Sequence, residues 1–183
     1  MSVLVVTACG GDDKKAEEQK AAEPLSQSTN SMAFNQSFGA IMDNYYHLKD
    51  ALVLSNNTFA TEAAKKIISL SDSLDLGELK ADASIVTMAK GYLENISAEA
   101  KGLVGEQDIE EKRKSFQMIS DNMYDLVRTI RYDREKIYHQ FCPMAFNDAG
   151  AYWLSRTSDI KNPYYGKKML TCGEVKDSLD FKN

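Results

Sequence analysis

The chain has 183 residues, 43% of them hydrophobic and 27% charged, with a formal net charge of -5. That supports one packed domain with a tail or two, and the scattered Lys and Arg exclude a nucleic-acid partner, which needs a concentrated basic face. Three prolines and ten glycines, with long apolar periodicities between them, favour helices over sheets.

No stretch of ~20 apolar residues is present to span a membrane. The N-terminus reads LVVTACGG over residues 4–11. An apolar run, small residues and then Cys-Gly resembles a bacterial lipobox, with Cys9 as the lipidated residue and residues 1–8 as a signal-peptide remnant. The plainer alternative is a polar N-terminus with an incidental cysteine. Asp12 and Asp13 add a weak sorting signal. Residues 9–30 then form the lipid anchor and a flexible, polar tether, and residues 31–183 the folded domain. This places the protein in the cell envelope as a membrane-anchored lipoprotein, periplasmic or surface-exposed. Outside the cytosol two free thiols tend to pair unless something occupies them, and Cys142 and Cys172 are the two that remain.

The first helix is expected over residues 31–56. Phe34, Phe38, Ile41, Tyr45, Leu48 and Leu52 recur at spacings of four and three, which is one helix face. Asn56-Asn57 marks a turn and Thr58 caps the second helix. Phe59, Ala63, Ile67, Leu70 and Leu74 make its stripe, and Leu76-Gly77 closes it. A third helix begins near Asp82, with Ile85, Ala89, Tyr92 and Ile96 in line, thickened by Val86, Leu93 and Ala100. Gly102 and Gly105 end it. Asp108 and Glu111 stand as N-cap and N3 of a capping box, followed by Phe116, Ile119, Met123, Leu126 and Ile130. Four such stripes with short connections predict an all-α fold, an up-down four-helix bundle. Each stripe must be buried on the others, because an isolated helix of this length is marginal in water.

Beyond about residue 137 the texture changes. Residues 139–175 hold the sole Trp, two of the three prolines and both remaining cysteines, with no helical period. An irregular segment is expected here, with turns at 147–150 and at Asn162-Pro163. So long an irregular stretch in a compact domain is usually functional.

Its chemistry is that of soft donors. Cys142-Pro143-Met144 and Met169-Leu170-Thr171-Cys172, with His139 three residues before Cys142, offer two thiols, two thioethers and an imidazole. Cu(I) and Ag(I) favour such donors over carboxylates. The competing reading is a disulfide that pins the tail, contributing about 3–4 kcal/mol for a loop of this length. The methionines fill packing gaps on that reading, and His139 is a partly exposed residue at a helix end. His47, between Tyr46 and Leu48, is expected at a surface or interface. Phe146, Tyr152, Trp153, Tyr164 and Tyr165 dock the tail onto the bundle, or wall a metal off from water. Phosphate loops, His-Glu-x-x-His, a nucleophile elbow and Cys-x-x-Cys are all missing, so the chain does not read as an enzyme.

Residues 141–145 (FCPMA), 150–155 (GAYWLS), 160–166 (IKNPYYG) and 169–175 (MLTCGEV) resemble a family of bacterial exported proteins known only as a domain of unknown function. LKDALV at 48–53 and RKSFQMIS at 113–120 are similar to it as well. Its members occur as standalone lipoproteins and fused to the C-terminus of periplasmic adaptor subunits of copper/silver-type efflux pumps. The resemblance implies a heavy-metal role, with Cys142, Met144, Met169 and Cys172 as the metal-binding positions and the disulfide as the empty or oxidised form. His139 lies just outside the motif. The adaptor's hairpin and barrel domains are missing, so a transport role does not carry over. The expected function is a Cu(I)/Ag(I) buffer, or a donor to an efflux adaptor. The alternative is a protein-interaction module with a disulfide-stapled aromatic tail and no metal.

Overall fold

The structure, a computed structural model, describes residues 30–182; the expected lipobox and Cys9 lie outside the described residues. Four long helices come first: α1 (Met32–Val53), α2 (Asn57–Ser73), α3 (Ala83–Gly105) and α4 (Ile109–Ile130). Their starts are set by short polar side chains that satisfy otherwise unpaired first-turn N–H groups. Ser31 Oγ accepts from Phe34 N–H, and Asn56 Oδ1, rather than Thr58, accepts from Phe59 N–H. Asp108 Oδ1 accepts from the N–H groups of Glu110 and Glu111. The Glu111 carboxylate does not complete the box; it pairs with Lys114 at 2.6 Å.

The stripe of α1 is buried throughout, as is that of α4. On α2 the buried face is Ala60, Ala63, Ala64, Ile67 and Ser71; Ala63 and Ile67 of the expected stripe are in it, Leu70 and Leu74 are half-buried, and Phe59 is 57% exposed. Small residues let α2 lie close between α1 and α3. Each helix packs on the next, whereas α1 and α4 leave an opening between their backbones and meet through long side chains, Tyr45 stacking on Phe116 at 5.3 Å between ring centroids. No described helix is long and apolar enough to cross a membrane.

The expectation of an all-α fold is corrected by what closes that opening. The C-terminal segment contains β1 (Ile137–Cys142), β2 (Ala151–Ser155) and β3 (Glu174–Leu179), an antiparallel sheet in the order β2-β1-β3. β2 packs against α4, while the short 3-10 turn Gly166–Met169 packs against α1. Buried Trp153 and Tyr164 face inward, and Tyr164 meets Phe116 of α4 at 5.9 Å between ring centroids. The Tyr45 hydroxyl of α1 accepts Leu154 N–H of β2 at 2.9 Å and lies 2.8 Å from Ser120 Oγ of α4. One buried hydroxyl thus ties the sheet to both helices. The described chain enters at Asn30, whose amide donates to Ile130 O at the C-terminal end of α4.

Candidate functional site

Strand register brings the two cysteines together. Phe141 of β1 stands opposite Glu174 of β3, so Cys142 at the end of β1 meets the residues just before β3. Cys142 Sγ and Cys172 Sγ are 3.1 Å apart across 30 positions of sequence; Cys142 is buried and Cys172 half-buried. Gly173 permits this approach. Its φ is +140°, and a Cβ there would stand 2.8 Å from Phe141 O and 2.9 Å from the Trp153 ring.

Each cysteine sits beside a turn with a defined cause. After Cys142-Pro143-Met144, three consecutive residues, Phe146, Asn147 and Asp148, take left-handed φ of 54–66°. That conformation is costly for side chains with a Cβ. It places the Phe146 ring edge-on to Tyr164 at 5.3 Å. The segment before Cys172 is organised by buried Asn162. Its Nδ2 donates to Cys172 O at 2.8 Å, and its Oδ1 accepts from Tyr164 and Tyr165 N–H at 2.8 and 3.2 Å. Its own backbone N–H donates to Leu170 O, and its carbonyl accepts from Gly166 N–H. Asn162-Pro163 was legible as a turn; that the asparagine would build the whole loop was not.

Arg113 of α4 carried no expectation, although it lies in a segment that the family resemblance picks out. It is 2% exposed. Its Nε donates to Pro163 O at 2.8 Å, and its Nη2 to Leu52 O and Ser55 Oγ, each at 3.1 Å. The guanidinium therefore clamps the Cys172 loop to the end of α1. Gly166 φ is +56°, and a Cβ there would stand 2.7 Å from Val53 O, so the loop lies directly on that end. The thiol pair is thus at the end of the bundle where α1 stops and α4 starts, opposite to Asn30.

The other expected residues divide by face. Met144 is 43% exposed and Met169 half-buried; Cys172 N–H donates to Met169 O at 3.1 Å. The Tyr165 hydroxyl donates to Met144 O at 2.6 Å. His139 is not brought to the thiols. Strand alternation puts it on the side of β1 away from Cys142. Its ring is stacked between Tyr124 at 3.8 Å and Tyr152 at 4.5 Å, with Tyr152 continuing onto Phe141 at 4.4 Å. Burial lowers its pKa to about 4, against the pull of Asp177. His47 lies in the groove between α1 and α2 with Leu54 and Phe59.

Hydrogen bonding to Cys142, then burial and the charge of Cys142, push the Cys172 thiol up to about 11. Two thiolates so close repel, so the pair keeps a proton unless a cation or an S–S bond removes the problem. Among the described residues no three or more His, Cys, Asp or Glu side chains are placed to share an ion.

In comparison with known proteins, the model of the family described as a protein of unknown function, DUF3347, matches residues 41–135. The matched span covers most of α1, all of α2 to α4, and ends before β1. No curated protein and no solved structure matches.

Proposed function

The chain belongs to the DUF3347 family of proteins of unknown function, and on that premise we propose that it is a soft-metal-binding module of the cell envelope. Its cargo on this reading is Cu(I) or Ag(I), held by Cys142 and Cys172 with Met144 and Met169 as further donors. It binds and passes on the ion rather than catalysing a reaction. The observation that carries the reading is the 3.1 Å contact between the two sulfurs at a bundle end. A monovalent soft cation relieves the repulsion between two thiolates and matches their polarisability. The donor set is free of the carboxylates that would favour hard ions. To hold an ion at Zn-like S distances of ~2.3 Å in tetrahedral geometry, the sulfurs must stand ~3.8 Å apart, an opening of ~0.7 Å. His139 has no part in this site. Lipid anchoring at Cys9 and a link to a heavy-metal efflux adaptor belong to the same proposal, supported by the N-terminal sequence and the C-terminal motif.

The test is competition for Cu(I) between the reduced full chain and a chromogenic Cu(I) chelator. The wild type should withdraw one equivalent of Cu(I). Cys142→Ser and Cys172→Ser should withdraw none, and Met144→Leu or Met169→Leu should weaken binding about tenfold with little change in stability. Failure of the wild type to compete at any chelator ratio rejects the metal.

A second reading is favoured by the burial of Trp153 and Tyr164 against the helices. On it the thiols lose two electrons and two protons to an external disulfide or quinone oxidant and form an S–S bond. The bond then staples an aromatic tail that serves only to complete the bundle.

A further inference from the structure

The two loops that carry the thiols are joined by more than the sulfurs. Tyr165, in the Cys172 loop, donates its hydroxyl to the carbonyl of Met144, two residues beyond Cys142, at 2.6 Å. Met144 is two residues from Cys142, and Tyr165, seven residues before Cys172, stands close enough to interact with both cysteines, so the tyrosine spans the gap between the loops beside the sulfur pair. The Tyr165 hydroxyl also feels the charge of Cys142 and of Cys172. Burial first, then Cys142, Asp148 and Cys172, push its pKa up.

The backbone beneath Tyr165 is fixed. Asn162 Oδ1 holds its N–H, Pro163 O is held by Arg113, and Gly166 lies on Val53 O with no room for a side chain. The ring is half-buried, and its hydroxyl bond lies at the exposed rim. A fixed backbone with a side chain tied by one exposed hydrogen bond moves by rotation of that side chain alone. Such rotation is fast and leaves the fold intact. Tyr164, the preceding residue, differs: it is buried and its hydroxyl bonds Tyr152 O inside the sheet.

We propose that Tyr165 is a latch over the thiol pair, its hydroxyl bond to Met144 closing the Cys142 turn onto the Cys172 loop and setting how readily the thiols meet an incoming reagent or ion. The proposal rests on the reading that the thiol pair is the functional site. It assigns control of access to a residue that need not itself hold the ion.

The experiment measures the rate at which the reduced, metal-free full chain reacts with an aromatic disulfide reagent that releases a coloured thiolate. Tyr165→Phe keeps the ring and removes the bond, and Tyr165→Ala removes both. A single hydrogen bond of ordinary net strength predicts that Tyr165→Phe reacts between about twofold and tenfold faster than wild type. Tyr165→Ala should react at least as fast. Low urea should leave all three rates unchanged, because side-chain rotation exposes little surface. A wild-type rate in Tyr165→Phe overturns the latch, as does a rate that climbs steeply with urea, which would mark unfolding. The outcome is separate from the copper titration. A faster Tyr165→Phe in a chain that never competes for Cu(I) rejects the metal and keeps the latch.

Discussion

Replacing Arg113 by Met tests whether the bundle end and the thiol loop are one unit. Methionine keeps the long apolar stem and removes the guanidinium, which is 2% exposed. The ion pair with Glu110 at 2.5 Å is a small part of the loss, because the carboxylate is 55% exposed and returns to water. Leu52 O also loses little, since it still accepts Ser55 N–H at 3.1 Å. Pro163 O is different: the 2.8 Å bond from Arg113 Nε ties the loop at a buried point. A carbonyl left unpaired there, with the loss of charge-assisted bonds and some relief from no longer burying a cation, sums to about 2–4 kcal/mol. With a urea slope of about 2 kcal/mol per molar, the unfolding midpoint should fall by about 1–2 M. The same variant should label faster at its thiols in the absence of urea, because the backbone under Tyr165 is released. Arg113→Lys keeps the charge without the fork and should recover only part of the loss. An unchanged or raised midpoint in Arg113→Met would refute the clamp, and would mean that the buried cation costs as much as its bonds return.

Two further outcomes follow from titrating groups. His139 has a folded pKa of about 4, below the ordinary ~6.5, so between these values the unfolded chain binds the extra proton. Its contribution to stability is complete above about pH 6.5 and is lost as pH falls through about 4. Asp121, pushed up to about 6 by burial and then Asp125, acts oppositely over part of that range. The difference between wild type and His139→Phe, followed by thermal unfolding from pH 7 to 4, cancels Asp121 and should show wild type losing stability relative to the variant. Parallel curves would show that the stacked imidazole does not titrate as its burial demands. Cu(I) at the thiol pair must displace the proton of Cys172, which at about 11 is protonated at neutral pH. Apparent log affinity should therefore rise by at least about 1 per pH unit from pH 6 to 8; a flat profile would place the site elsewhere.

The helices were legible because their signals are local. Apolar residues at spacings of three and four, with Ser31 and Asp108 before them, mark α1 and α4 in the sequence, and burial of those stripes stabilises them. Phe59 misled because periodicity cannot tell a large apolar residue at a helix start from one in the core; Ala60 and Ala64 turned inward instead, where helices crowd. The strands are another matter. β2 reads AYWLS, and β1 reads IYHQFC, aromatic and β-branched in the way that strands are. Their period of two is obscured in burial because β1 is central and the register of β1 with β3 shifts between His139 and Gln140. The soft-donor residues were legible as types, and the proximity of Cys142 to Cys172 was expected. The means of bringing them together, sheet pairing with Gly173, Asn162 and Arg113, depends on contacts over 10, 50 and more positions, which no local pattern encodes.

On the metal-binding reading proposed above, the opposition between Asn30 and the thiol pair sets a direction for traffic. α1 has 22 residues, and at 1.5 Å per residue it separates the two ends by ~33 Å. A chain held from its N-terminal side therefore carries its sulfur pair at the far end of the bundle. On the proposed reading, a delivering or receiving molecule would come to that far end. The long flanks of α2 and α3 remain clear of that approach, so several copies held side by side on one surface would keep every tip open.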